Sequence, residues 1–247
     1  MRYLATVSYR GTAYCGWQKQ TISKLPSIEE SIESVISRLF NKTTKIYGSG
    51  RTDAGVHAHG QTFHFDTEKE IDEYKFLHSL NELLPDDIKV SKIEKVDAEF
   101  HARFNALQKS YKYKIKNSKV SDPFSSDLEY TLGQPLDIEK MVEASKIFEG
   151  THNFQNFTSK EEDDAGFVRT IYSIKITKEN DHIVILMTGN GFMRYMVRMI
   201  VGNLIQVGLG KLSIEEIVKN LESSERKPSS YKAPAYGLYL EEVSYKK

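Results

Sequence analysis

The order of apolar and polar positions predicts most of the elements in this 247-residue chain. Residues 2–9 alternate, which puts Tyr3, Ala5, Val7 and Tyr9 on one side of a half-buried strand. A glycine-bearing loop, GTAYCGWQKQ, follows, in which Trp17 reads as exposed. Pro26-Ser27 then opens a helix: Ser27 and Glu30 have the spacing of a capping box, and Ile28, Ile32, Val35, Ile36 and Leu39 recur at helical intervals. A short strand over 43–47 leads into GSGRTDAGVHAHGQ, Gly48 to Gln61, and the strand beyond carries Phe63 and Phe65 on one face. Asp72 to Leu84 predicts a helix striped by Phe76, Leu77, Leu80, Leu83 and Leu84 and stopped by Pro85. Residues 88–96 predict another strand, followed by EFHARFNA. The order is β-α-β-β-α-β, the split unit of ferredoxin-like folds.

The second half repeats that order without repeating the sequence. KSYKYKIK, residues 109–116, sets Tyr111, Tyr113 and Ile115 opposite Lys112, Lys114 and Lys116. A helix over Asp137 to Glu149 ends at Gly150, strands are predicted over 168–178 and 182–189, and a long helix runs over 192–207. A short helix from Ser213 and a strand over 237–245 close the chain. The expected fold class is α+β, with two ferredoxin-like domains over residues 1–105 and 106–247. The polar stretch 155–166, with Glu161, Glu162, Asp163 and Asp164, reads as a mobile loop whose acidity disfavours contact with phosphates.

Composition narrows the function classes. Hydrophobic residues make up 39% and charged residues 28%, ordinary for a soluble globular protein. Thirty-four basic and thirty-four acidic side chains cancel, so any polyanion must be met by a local cluster rather than a global field. The single cysteine, Cys15, excludes an internal disulfide and a cysteine zinc site. The alternating, charged start is unlike a signal peptide, and no apolar run approaches the length of a membrane span. The expected location is cytoplasmic.

The stretch from Gly48 to Gln61 concentrates site-like chemistry: four glycines, Arg51, Asp53 and two histidines between strands. A phosphate-cradling loop requires a Gly-Lys-Ser/Thr ending that is missing. A metal site built on Asp53, His57, His59 and His64 finds no second carboxylate or spaced histidine motif, so local hydrogen bonding accounts better for the histidines. A cofactor-free site centred on the Asp53 carboxylate, with Arg51 as a ligand clamp, stands against an aspartate that merely caps a turn. On the long helix Arg194 and Arg198 are four residues apart, with Arg198 beside the apolar stripe Met193, Met196, Val197, Ile200, Val201 and Leu204. A partly buried arginine there wants a carboxylate from another element, or else snorkels.

GRTDAGVHAHGQ resembles the signature of the TruA family of tRNA pseudouridine synthases. GTAYCGWQ, FHARF at 100–104, SYKY, HNFQNF, RTI at 169–171, GFMRYMVRMIVG at 191–202 and APAYGLYLEEVSY at 233–245 extend the likeness, in the family's order, over nearly the whole chain. One departure is Arg10, where the family commonly has aspartate between the tyrosine and glycine that follow the first strand. The resemblance implies two ferredoxin-like domains whose sheets form a central cleft, in a homodimer. It also implies an isomerase that converts uridine to pseudouridine at positions 38 to 40 of the tRNA anticodon stem-loop. It assigns Asp53 as the essential carboxylate, Arg51 as the arginine that helps open the stem, Tyr111 as the residue that stacks on the target uracil, and Arg198 as the partner of Asp53. Trp17, His101 and Arg103 join Arg51 and Tyr111 as expected substrate contacts. The reaction exchanges no electrons or groups, so neither cofactor nor metal is expected. The alternative is a non-catalytic RNA-binding or tRNA-folding module on the same scaffold, which would not require the carboxylate.

Overall fold

Alternation over the first residues gives β1 (Arg2–Tyr9), whose inward residues are almost wholly buried. The structure, a computed structural model, describes residues 1–161 and 166–246. After β1 come α1 (Ile28–Phe40), β2 (Ile46–Gly48), β3 (His57–Asp66), α2 (Glu73–Leu83) and β4 (Ile88–Val96). β1 pairs antiparallel with β3 on one side and β4 on the other, and β2 pairs antiparallel with β3, so the order is β4-β1-β3-β2. The register sets Tyr3 against Phe65 and Ala5 against Phe63. Phe65 also meets Phe40 of α1 at 6.4 Å and Phe76 of α2 at 5.7 Å, joining helices to sheet through aromatic contacts. Ser27 caps α1 by accepting from the Glu30 amide at 3.1 Å. The expected reciprocal bond gives way to an ion pair, because the Glu30 carboxylate turns to Lys19 at 2.5 Å.

The second half contains β5 (Ala106–Lys116), β6 (Tyr130–Thr131), α3 (Ile138–Ser145), β7 (Gly150–Asn153), β8 (Val168–Glu179), β9 (His182–Gly189), α4 (Met196–Gly208), α5 (Ile214–Glu222) and β10 (Leu238–Tyr245). β9 lies between β5 and β8, antiparallel to both, and β7 lines the far side of β8. The predicted helix over 137–149 is α3 plus a 3₁₀ turn, Lys146–Phe148. The long helix begins at Met196 rather than 192, because Tyr195 holds φ at +63°, a left-handed conformation that no α-helix accommodates. The polar stretch expected as a loop starts as a 3₁₀ turn, Gln155–Phe157, with Phe154, Phe157 and Thr158 fully buried. Its Glu162, Asp163 and Asp164 lie outside the described residues.

The chain divides into one unit of Met1–Leu107 with Tyr239–Lys247 and another of Gln108–Leu238. The terminal strand therefore groups with the first unit rather than with the half of the sequence that contains it. β10 runs parallel to the start of β3, with Tyr239 opposite His57 and Leu240 opposite Ala58. Within unit 1 the sheet is mixed for this reason; in unit 2 the two pairings of β9 are antiparallel.

Candidate active site

The loop between β2 and β3 is held from beneath by buried polar groups. Ser49 is fully buried, donates its hydroxyl to Gln61 Oε1 at 2.5 Å, and donates its amide to Thr62 O at 2.8 Å. Gln61 Nε2 returns a bond to Gly50 O at 3.0 Å. The buried Thr52 hydroxyl pairs with Tyr9 Oη at 2.8 Å. Arg51, between these inward residues, is exposed, and Asp53 is half-buried. The Val56 amide donates to Asp53 O at 3.1 Å and closes the turn that follows. The loop thus presents its arginine and carboxylate two residues apart on a backbone whose neighbouring side chains are tied down. Such anchoring reduces the conformational freedom that would have to be lost on binding.

The segment around Gly16 supplies the other side of this anchorage. Gly16 and Asp53 form an isolated antiparallel bridge, and the Trp17 amide donates to Thr52 O at 3.1 Å. Gly16 has φ of +106°, and an added Cβ would lie 2.5 Å from Thr52 O. Trp17, expected to be exposed, is only 2% accessible. Its indole packs between Tyr9 and Phe63, with centroids 6.1 and 6.2 Å away, and against Gly48, where a Cβ would come within 2.5 Å of Nε1. The sequence reading fails here because loop membership says nothing about which way a large ring turns. An indole filling the underside of the site cannot also lie on its surface.

The histidines also serve the scaffold. His57 is buried, accepts from the Gly11 amide at Nδ1 (3.0 Å) and stacks on Tyr239 at 4.7 Å. His64 is buried and accepts from the Ala102 amide at Nδ1 (3.2 Å). Burial first, and then the Arg2 charge, pushes its pKa down to about 4, so the ring is neutral near pH 7. His59 is partly exposed and meets Glu241 at 2.9 Å. Among the described residues no cluster of three metal-ligating side chains occurs.

His101 and Arg103 sit in the turn after β4. The Arg103 amide donates to His101 Nδ1 at 3.1 Å, and the exposed Arg103 guanidinium lies 5.6 Å from the centre of the Phe104 ring. Arg10 is exposed, and its amide donates to Asp87 O at 2.9 Å.

The remaining predicted residues belong to unit 2. Tyr111 on β5 is 9% accessible and meets Phe192 edge-to-face at 5.2 Å. Arg198 on α4 is half-buried, and its Nε donates to Ala233 O at 2.8 Å while the Ala233 amide donates to Arg198 O at 2.9 Å. Sequence reasoning missed Tyr195. Its ring has the guanidinium of Arg198 at 5.3 Å, that of Arg194 at 4.8 Å and Lys232 Nζ at 4.3 Å. The tyrosine orients the charged groups at the start of α4 by cation–π contact. The Arg-Tyr-Met-Val-Arg run contained that signal, which a reading of helical stripes passes over.

The model of the tRNA pseudouridine synthase family matches residues 5–105 and 144–246, and the chain belongs to that family. It is 39% identical over 243 residues to tRNA pseudouridine synthase A of Staphylococcus aureus strain MRSA252, covering 98% of this chain and 91% of that one. It is 40% identical over 245 residues to tRNA pseudouridine synthase A 1 of Bacillus cereus strain ATCC 14579, covering 99% and 98%.

Proposed function

We propose that the protein is an isomerase that converts uridine to pseudouridine at positions 38 to 40 of the tRNA anticodon stem-loop, with Asp53 as its catalytic carboxylate. The observation that carries this reading is the anchored loop: an exposed Arg51 and a half-buried Asp53 at the mouth of a tightly tied turn, in a chain of the tRNA pseudouridine synthase family. The isomerisation breaks the bond from C1′ to N1 and joins C1′ to C5. N1 gains a proton and C5 loses one, so the reaction balances without a redox partner or transferred group. A carboxylate beside the anomeric carbon stabilises or traps an oxocarbenium-like centre. The same group in the same place could instead attack the base or take the 2′ proton of the ribose.

The other roles follow from what each residue can offer. Arg51, exposed on the loop, fills the space left when the target leaves the stem, which offsets part of the few kcal/mol that base flipping costs. Tyr111 holds the detached uracil by its face while leaving it able to rotate. Arg198 is the proposed charge partner of the Asp53 carboxylate. His101 and Arg103 contact the RNA, whereas Trp17 supports the loop from below. The two-domain reading is ferredoxin-like in each unit: the order β4-β1-β3-β2 in unit 1 and β5-β9-β8 in unit 2 supports it. In this proposal the enzyme is a cytoplasmic homodimer.

A non-catalytic RNA-folding module is the reading to exclude. Purified protein is incubated with unmodified tRNA transcripts and the pseudouridines are mapped by chemical labelling and primer extension. New pseudouridine confined to positions 38 to 40 is expected. Binding without any pseudouridine would establish the module instead.

A further inference from the structure

In unit 1 a line of rings runs from the core to the surface. His64 is buried and stacks on Tyr47 with centroids 5.0 Å apart and planes 18° from parallel. Tyr47 meets His101 at 6.1 Å, and His101 meets Phe104 at 4.4 Å. The outer members are open to solvent, Tyr47 at 48% and Phe104 at 75%. Tyr47 lies on β2, and the turn that carries His101 and Phe104 is tied by its own hydrogen bonds. The His101 amide donates to Asn105 Oδ1 at 2.6 Å, the Asn105 amide donates to His101 O at 3.0 Å, and the Arg103 amide donates to His101 Nδ1. The guanidinium of Arg103 stands beside the Phe104 ring. Burial, then the charges of Arg2 and Arg103, hold the His101 pKa below its usual value, which favours an uncharged ring.

We propose that Tyr47, His101 and Phe104, flanked by Arg103, form a stacking platform for an unpaired base of the RNA substrate other than the uridine that reacts. The proposal rests on the tRNA-modifying reading above. Exposed rings interleaved with arginine hold single-stranded nucleic acid: every base offers a π-face, and the cation meets the backbone or the base. An apolar contact with a second copy of the chain would instead be depleted of charge at its centre. Here an exposed arginine lies against the most exposed ring. Position also fits. Tyr47 precedes Arg51 by four residues and Asp53 by six, so their Cα atoms lie within about 15 and about 22 Å of it, the limit of an extended chain. Nucleotides of one RNA loop can therefore reach both places. The rings carry no hydrogen-bonding pattern aimed at one base, so the platform grips without reading sequence.

The test compares wild type, Phe104→Ala and Phe104→Trp by filter binding to an unmodified tRNA transcript, with melting temperature and pseudouridine formation recorded in parallel. Phe104→Ala should weaken binding by about 5- to 100-fold, the loss of one base–aromatic stack. Phe104→Trp should restore it to near the wild-type value, and the new indole should be quenched when an anticodon stem-loop RNA is added. Trp17, buried, gives a constant background. Unchanged affinity in Phe104→Ala, or an unquenched indole in Phe104→Trp, overturns the platform. So does loss of self-association by sedimentation in Phe104→Ala, which would give the patch to a second copy. A wild type that forms no pseudouridine on the same transcript would instead sink the enzymatic reading.

Discussion

Gly16 and Asp53 face one another in an isolated antiparallel bridge, so the residue proposed as catalytic is positioned by a glycine thirty-seven places earlier in the chain. The bridge needs a positive φ and a backbone approach that excludes any side chain at position 16. Gly16→Ala is expected to cost about 1–3 kcal/mol through backbone strain and to displace Thr52 and Asp53. Differential scanning calorimetry should show a melting temperature lower by roughly 2–10 °C. Activity should fall by more than the lost stability explains. Wild-type turnover in that variant would mean that the bridge does not position the loop.

Trp17 is the only tryptophan, so its fluorescence reports directly on the underside of the loop. Buried between Tyr9 and Phe63, it should emit at short wavelength, resist iodide quenching, and change little when tRNA binds. Trp17→Ala should destabilise the protein by about 3–5 kcal/mol, the range for emptying a large aromatic site. Free access of iodide, or strong quenching by tRNA, would return this residue to the RNA surface.

At the start of α4, Arg198 and Arg194 share the Tyr195 ring but differ in burial. Arg198→Met should reduce turnover by roughly 10²-fold or more, as loss of one preorganised charge contact does. Arg194→Met should have a much smaller effect, since its side chain is exposed. Equal losses in the two variants, measured as tritium release, would remove Arg198 from the proposed pairing.

The elements whose apolar positions recur at a single period were legible from the sequence: β1, α1, α2, β9 and most of α4 fall close to where the pattern puts them. Legibility failed where long-range contact decides. The parallel pairing of β10 with β3 depends on residues some 180 places apart, Tyr239 and His57. Tyr195 delays the start of the predicted helix through a backbone conformation that periodicity does not encode. The loop composition made Arg51 and Asp53 conspicuous, yet it hid the orientation of Trp17. The histidines of the same stretch read better as local hydrogen-bonding groups than as ligands, and His57 accepts the Gly11 amide while His59 meets Glu241.

His64 gives the protein a pH-sensitive contribution to stability. Its pKa is about 4 in the fold, against an ordinary 6.5, so between those values the unfolded chain binds more protons. Stability contributed by neutral His64 is therefore present above pH 6.5, lost progressively as pH falls toward 4, and gone below. His64→Asn keeps an acceptor for the Ala102 amide but cannot titrate. Urea unfolding from pH 7 to 4 should show a steeper loss for wild type than for His64→Asn. Parallel slopes would contradict the assignment.

The central claim is that one carboxylate performs the chemistry, and Asp53→Asn tests it without altering the shape of the loop. Tritium release from tRNA carrying uridine labelled at carbon 5 follows the bond change at the reacting base. The expected result is release indistinguishable from an enzyme-free control, with tRNA binding largely intact by filter assay. Full tritium release by Asp53→Asn would contradict the account.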